Sequence, residues 1–341
     1  MSATGAERVD VSVVIVCMNQ VDDLFRCLDS LVAHTRQVSY EIWVVAYLFS
    51  PENLARLRER HPAVQIIESN ELRGFAENNN LALRQARGEY CFIVNDDTYM
   101  DMPVVDRLVA SFQAEPRAAL FSPKILNLDG SVQFCGGLPH TMGHWLLVEF
   151  KWRRPAKMKS PLINGTGIFQ TSTVMGAAFM IRTAVLRELG YFDERYFFCP
   201  EDSALSMLAN RRGHACFVNA DVRIFHRHSS TLGRYALATV LAMQRGQTLF
   251  HSQGSTLRWL VYSSAMFGLA AGKCLYWSLS RAPDRALRRR IWRTAMGTAF
   301  SRRTPKEIFA QYFLQAKAAD ADQPTGSPGA AAGGSARKTW S

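Results

Sequence analysis

The sequence predicts an α/β protein with a mostly parallel sheet flanked by helices and a helical extension at its C-terminal end. Unbroken apolar runs such as VSVVIVC (11–17) and IWVVAYL (42–48) alternate with stretches whose apolar residues recur at helical spacing. Such runs belong to strands covered on both faces, and strand–helix alternation implies parallel pairing through crossover helices. Beyond Leu232 the strand-like runs stop, and the chain reads as helical to about residue 315.

The first strand, 11–17, leads into Val21, Leu24, Phe25, Leu28, Leu31 and Val32, which share one helical stripe. After the second strand, Ser50 suits a helix N-cap and Pro51 the first helical position. A short strand near 64–67, a helix over 76–87 and the strand YCFIV (90–94) complete a βαβαβαβ series. The stretch from about 122 to 172 is rich in Gly and Pro, shows little periodicity and reads as a binding loop or lid. Helices are expected at 183–189 and 201–212, and strands at ACFV (215–218) and VRIF (222–225). The expected division is one α/β unit over 1–232, with halves at about 10–120 and 121–232, then a helical region over 233–316. Residues 317–341 form a low-complexity tail that reads as disordered.

Composition narrows the class. Of 341 residues, 48% are hydrophobic, too few for a polytopic membrane protein. The opening MSATGAERVD is polar and carries acids, unlike a signal or transit peptide. The seven cysteines are scattered through mostly apolar stretches with no CxxC pair, as expected of reduced residues in a cytoplasmic protein rather than of a zinc site.

The chemistry concentrates where the strand 90–94 ends. Asn95, Asp96 and Asp97 follow it with no spacer. Asn and Asp punctuate strands as ordinary turn residues, which is one reading. Ligands of open α/β sheets bind beyond the carboxyl ends of the strands, which favours the other, a cation site holding phosphates. In extended backbone Asn95 and Asp97 share a face while Asp96 points away. One carboxylate plus diphosphate oxygens suits Mg²⁺ or Mn²⁺. Neither GxGxxG after the first strand nor GxxxxGK[ST] occurs, so a nucleotide would be held through a cation and side chains.

Five segments occur in a telling order: VSVVIVCMN, RGFAENNNLAL, GEYCFIVNDDT, GAAFMIRTAVLRELGYFDERYFFCPED and VRIFHRHSST. Together, over about 11–232, they resemble a family-2 glycosyltransferase of the GT-A fold, most closely the rhamnosyltransferase-like enzymes of bacterial surface polysaccharide synthesis. The resemblance implies an inverting transfer of a sugar from a nucleoside-diphosphate donor to a saccharide or lipid-linked saccharide, with Mg²⁺ or Mn²⁺ as cofactor. The half up to about 120 would hold the nucleotide sugar and the half from 121 the acceptor. Asn95-Asp96-Asp97 matches the DxD position, so Asp97 would hold the metal while Asn95 and Asp96 serve the donor. His226 matches the position that completes the metal site. Asp202 matches the catalytic base, with Glu201 beside it. Gly74 and Asn80 match the segment lining the donor pocket, and Asn19 follows the first strand where the nucleoside sits.

Plainer readings stand beside these. Glu201 and Asp202 also suit the first turn of a helix, His226 and His228 a surface loop, and Asn78-Asn79-Asn80 a helix N-terminus. Two departures stand out. VVAYLFSPE has no acid before Glu52, where the family contacts the nucleoside, and Ala204 stands where the family has a second acid. A degenerate member that binds nucleotide sugar or saccharide without turnover is therefore the alternative.

Net charge is +11, with nine basic residues against Asp284 alone between Arg281 and Lys306. Trp259 to Gly272 carries no charge. The stretch is short for a confident span, and crossing would put Arg288-Arg289-Arg290 on the outer side. An in-plane helix against an anionic membrane, peripheral at the cytoplasmic face, fits these features, with a buried helical hairpin as the competing reading. No recognition motif accompanies the charge, so no nucleic-acid partner is expected.

Overall fold

The computed structural model describes residues 8–138, 141–143, 165–227 and 235–321, with side chains to residue 316. Strands are β1 (Val11–Cys17), β2 (Tyr40–Tyr47), β3 (Gln65–Ser69), β4 (Tyr90–Val94), β5 (Thr98–Tyr99), β6 (Ala118–Leu126), β7 (Gly136–Gly137), β8 (Ile168–Thr171), β9 (Thr173–Val174), β10 (Ala178–Arg182) and β11 (Ala215–His226). Helices are α1 (Val21–His34), α2 (Pro51–Arg60), α3 (Phe75–Leu83), α4 (Val104–Ala114), α5 (Thr183–Leu189), α6 (Glu201–Arg211), α7 (Ala236–Ser252), α8 (Thr256–Leu279), α9 (Arg285–Thr298) and α10 (Pro305–Ala321).

The main sheet runs β3-β2-β1-β4-β10-β6-β11-β5, with β8 also on β11. β1 to β4 pair parallel, β10 enters antiparallel between β4 and β6, and β6 and β11 are parallel again. β1 shows why its run is unbroken. Val11, Val13 and Ile15 pack with α1 and α4 on one face, while Val14 packs with α3, α5 and α6 on the other. Both faces are covered, so both parities must be apolar.

Several local expectations hold for the stated physical reason. The Ser50 hydroxyl accepts the Asn53 N–H at 3.2 Å and caps α2, with Pro51 next. Of the α1 stripe, Val21, Leu24, Phe25, Leu28 and Leu31 are buried, but Val32 lies outside the contact face and is exposed.

Other boundaries differ. α3 stops at Leu83 rather than 87, because the Arg87 N–H is drawn off to Ser12 Oγ and Glu41 Oε1. Burial works to raise the Glu41 carboxyl, but Ser12, the Arg87 N–H and guanidinium and Gln65 outweigh it and hold it at about 2. The strands expected at 215–218 and 222–225 are one strand, β11, with a register shift between Asn219 and Arg223. The segment 122–172 is not structureless throughout. β6 runs on to Leu126, a hairpin turn brings Val132 back beside it, and β8 occupies its end; the centre, 144–164, lies outside the described residues. So do His228 and residues 322–341, while α10 extends five residues into the expected tail.

α7 and α10 pack on the α/β unit through Phe197, Ala238, Ala242, Phe309 and Phe313, joined by Met18 and Leu72, and α8 and α9 pack on α7 and α10 through Leu241, Ala270, Ala295 and Ile308. Among the described residues no helix is long and apolar enough to cross a membrane. α8 is two-sided. Tyr262, Ser263, Met266, Leu269 and Ala270 are buried, whereas Leu257, Leu260, Val261, Phe267, Leu275, Tyr276 and Leu279 are exposed. The hairpin reading is therefore half right: α8 packs along one face and leaves an apolar face open.

Candidate active site

Two clusters form at the carboxyl end of the sheet, joined by a single backbone segment. The first gathers Asn95, Asp97 and His226. Past β4 the chain turns at once, with the Thr98 N–H on the Asn95 carbonyl, and β5 then pairs with the end of β11, setting His226 opposite Thr98. His226 Nε2 lies 3.2 Å from Asp97 Oδ1 and 3.4 Å from Asn95 Nδ2. Both His226 and Asp97 are buried. Asp96 turns the other way, to the Cys17 thiol at the end of β1; burial, with Asp97 and Asp23 adding, pushes its carboxyl up to about 7.

The segment is a turn, as the plainer reading has it, and it also brings together a carboxylate, an amide and an imidazole. The second nitrogen of His226 is committed. Nδ1 lies 2.8 Å from Gln133 Oε1, while Gln133 Nε2 donates to the His226 carbonyl at 2.7 Å and to Asn127 Oδ1 at 2.8 Å. With Nδ1 engaged by Gln133, Nε2 is the ring atom that faces Asp97 and Asn95, an imidazole and a carboxylate side by side of the kind that ligate divalent cations. A divalent cation therefore fits. Among the described residues no three His, Cys, Asp or Glu side chains converge on a metal, so further oxygens would come from a bound diphosphate or water.

The second cluster is the acid pair opening α6. The Asp202 Oδ2 accepts the Gly176 N–H at 2.7 Å, and the side chain is only partly buried. Glu201 is buried, and its Oε2 has no hydrogen-bond partner among the described residues. Burial, with the Asp202 charge adding, pushes the Glu201 carboxyl up to about 8. Burial disfavours charge on Glu201, whereas the Asp202 carboxylate is the one oriented by the Gly176 N–H.

Gly176 and Ala177 join the clusters. The Gly176 N–H holds Asp202, and the next carbonyl, Ala177, accepts the Asn95 N–H at 2.9 Å. A cavity of about 750 Å³ opens beyond β1 and β2, lined by Asn19, Asp23, Arg26, Leu48, Asn53 and Arg227 together with Tyr235 and Phe313 from the helical region. Arg227 ties it to the first cluster, donating N–H to the Asp97 carbonyl and its guanidinium to Asp23 at 2.7 Å.

Asn19 borders this cavity, but its Oδ1 accepts from the Ser50 N–H and Asn53 Nδ2, which locks the loops after β1 and β2 together. Gly74 and Asn80 do not line it. A Cβ on Gly74 would lie 2.2 Å from the Phe197 carbonyl oxygen, so glycine is needed where α3 meets the loop before the acid pair. Asn80 is fully buried, bonding the Phe192 N–H and carbonyl and Glu194. Both shape the site from beneath. Sequence reading missed Gln133 and Gly176. The Asp129-Gly130 pair, with Gly130 at φ 79°, was the available sign of the hairpin that delivers Gln133.

The mostly parallel sheet flanked by helices is a GT-A-type α/β fold. The chain belongs to glycosyl transferase family 2, whose description, Glycosyl transferase family 2, matches residues 12–190. It is 28% identical over 228 residues to the O-antigen biosynthesis protein RfbC of Myxococcus xanthus, covering 65% of this chain but only 17% of that relative. The fold is similar to that of GalNAc-T7 crystallised with UDP, GalNAc and Mn²⁺, at TM-score 0.54 and 14% identity over 90% of this chain and 58% of the other. A mannosyltransferase from Pyrobaculum calidifontis, in complex with GDP-Man and Mn²⁺, aligns at TM-score 0.47 and 18% identity over 93% and 88% of the two chains.

Proposed function

We propose that the chain transfers a sugar, rhamnose being the favoured candidate, from a nucleoside-diphosphate donor to a hydroxyl of a saccharide or lipid-linked saccharide, with inversion. The observation that carries this is the Gly176–Ala177 segment, which fixes a carboxylate on one side and the Asn95–Asp97–His226 cluster on the other. The acceptor hydroxyl gives its proton to Asp202 as its oxygen bonds to the anomeric carbon. The bond from that carbon to the donor's diphosphate oxygen breaks, and the electron pair leaves with the diphosphate. A divalent cation held by Asp97 and His226 would stabilise the charge of that leaving group. Asn95 would border the donor phosphates, Asp96, turned to Cys17 at the end of β1, would serve the donor from the nucleoside side, and the cavity beyond β1 would take the nucleoside, with Leu48 and Asn53 where an acid is absent. The Mn²⁺ complex of GalNAc-T7 and the O-antigen role of RfbC support the reading.

We also propose that the enzyme sits at the cytoplasmic membrane face, where a lipid-linked acceptor is presented. The exposed apolar face of α8 and the exposed Arg285, Arg289, Arg290 and Arg293 of α9 support this. Incubation with a panel of nucleotide sugars, Mn²⁺ and lipid-linked or free saccharides tests the activity. Donor-dependent glycosylation that disappears in Asp202→Asn is expected. Donor binding without hydrolysis or transfer across the panel would identify a binding protein instead.

A further inference from the structure

We infer that Gln133 is a positioning residue of this site, holding His226 in the orientation and tautomer that offer Nε2 to Asp97 and to a cation there. The inference rests on the cation reading above for its purpose, but not for its geometry.

Gln133 is buried and arrives on a short hairpin. The Gly130 N–H returns to the Asn127 carbonyl, the Asn127 N–H meets the Ser131 carbonyl, and the Gln133 N–H meets the Ile125 carbonyl. Asp129 Oδ1 accepts both the Ser131 N–H and hydroxyl, which closes the turn. The amide that results is fully used: Nε2 donates to the His226 carbonyl and Asn127 Oδ1, and Oε1 faces His226 Nδ1 at 2.8 Å. Its orientation is not arbitrary. Flipped, Oε1 would face the His226 backbone carbonyl, an acceptor that cannot turn away. Oε1 therefore accepts, Nδ1 carries the proton, and Nε2 is left to face Asp97 and Asn95. The same side chain grips the backbone and the ring of one residue, so it fixes the ring's plane as well as its tautomer. A ligating imidazole needs such a partner on its other nitrogen, and loss of that partner typically lowers metal affinity roughly 10–100-fold.

The test uses the full chain with ¹⁵N-labelled histidine, without metal, at about pH 8, above the ordinary histidine range. In the unmodified protein the His226 signal, identified by its loss in His226→Asn, should report a proton on Nδ1. Gln133→Leu should lose that signature, and free-Mn²⁺ titration followed by electron paramagnetic resonance should show affinity reduced roughly 10–100-fold. Gln133→Glu keeps an acceptor facing Nδ1 but sets its other oxygen against the His226 carbonyl, so it should retain the Nδ1 signature while losing some Mn²⁺ affinity. An unchanged tautomer and affinity in Gln133→Leu would overturn the inference. So would loss of the Nδ1 signature in both variants, which would assign Gln133 a packing role alone. Should the leucine variant fail to fold, the glutamate variant decides, since loss of the Nδ1 signature there contradicts the assignment. If the unmodified protein binds no Mn²⁺, the cation reading fails separately, and the tautomer readout still judges Gln133.

Discussion

Gly176 donates its backbone N–H to Asp202 at 2.7 Å, and a Cβ there would stand 3.4 Å from the same carboxylate oxygen. The carboxylate is aimed by main chain, which does not reorganise when an acceptor arrives.

Asp202→Asn removes the carboxylate and sets its NH₂ against one of the two N–H groups, of Gly176 and Ser203, that the carboxylate accepts; it should keep donor affinity while losing roughly 10²–10⁴ or more in turnover. Transfer rate measured beside donor affinity checks this; near-normal transfer would move the base elsewhere.

Glu201 makes the opposite kind of prediction. Its folded-state carboxyl lies well above an unfolded one, at about 8, through burial first and the Asp202 charge second. The folded protein then binds more protons than the unfolded one between about pH 4.5 and 8, so this group's contribution falls as pH rises through that window. Glu201→Gln should remove that slope. Urea melts at acid and alkaline pH should show the variant gaining relative to the unmodified protein as pH rises, and a constant difference would contradict the shift.

Asp97→Asn removes charge but little volume from a buried position facing His226. The melting temperature should hold or rise, since Asp96 lies close enough for the two carboxylates to repel each other. Mn²⁺-dependent donor affinity, read by calorimetry, should be lost. Equal donor affinity with and without Mn²⁺ in the unmodified protein would defeat the cation reading.

For the membrane face, Arg288 is a poor target because it pairs with Asp284 at 2.7 Å and stacks over Trp277. Replacing Arg285, Arg289, Arg290 and Arg293 with Gln should release the protein from anionic vesicles, as should raised salt. Leu275→Ser with Leu279→Ser should weaken binding without altering its salt dependence. Sedimentation indifferent to lipid charge and to these changes would leave the α8 face to another partner.

The sequence disclosed what local rules govern. Ser50 could be read as a cap and β1 as doubly covered, whereas Asn95 and Asp97 converge through the turn past β4 rather than through the strand period expected of them. It concealed what depends on long loops closing. Gln133 meets His226 across 93 residues, and Asn80 meets Phe192 across 112. Neither residue titrates, so neither stands out among candidates for chemistry. Gly74 matched a motif in position but is required by a carbonyl 123 residues away, which no local pattern encodes. The register shift in β11 was invisible for a related reason: its two apolar runs look like separate strands until β6 aligns them.

Where α7 crosses the loop before the acid pair, a Cβ on Gly246 would fall 2.3 Å from the Cys199 carbonyl oxygen. The helix backbone lies directly on the backbone that carries the base, with no cushion of side chains between them. Such a seam ties α7 closely to the acid loop, and α8 and α9 pack in turn on α7. Whatever surface the helices rest on therefore sets the bearing of Asp202 itself, and the enzyme would reach for a tethered acceptor by orienting its whole body rather than by swinging an arm.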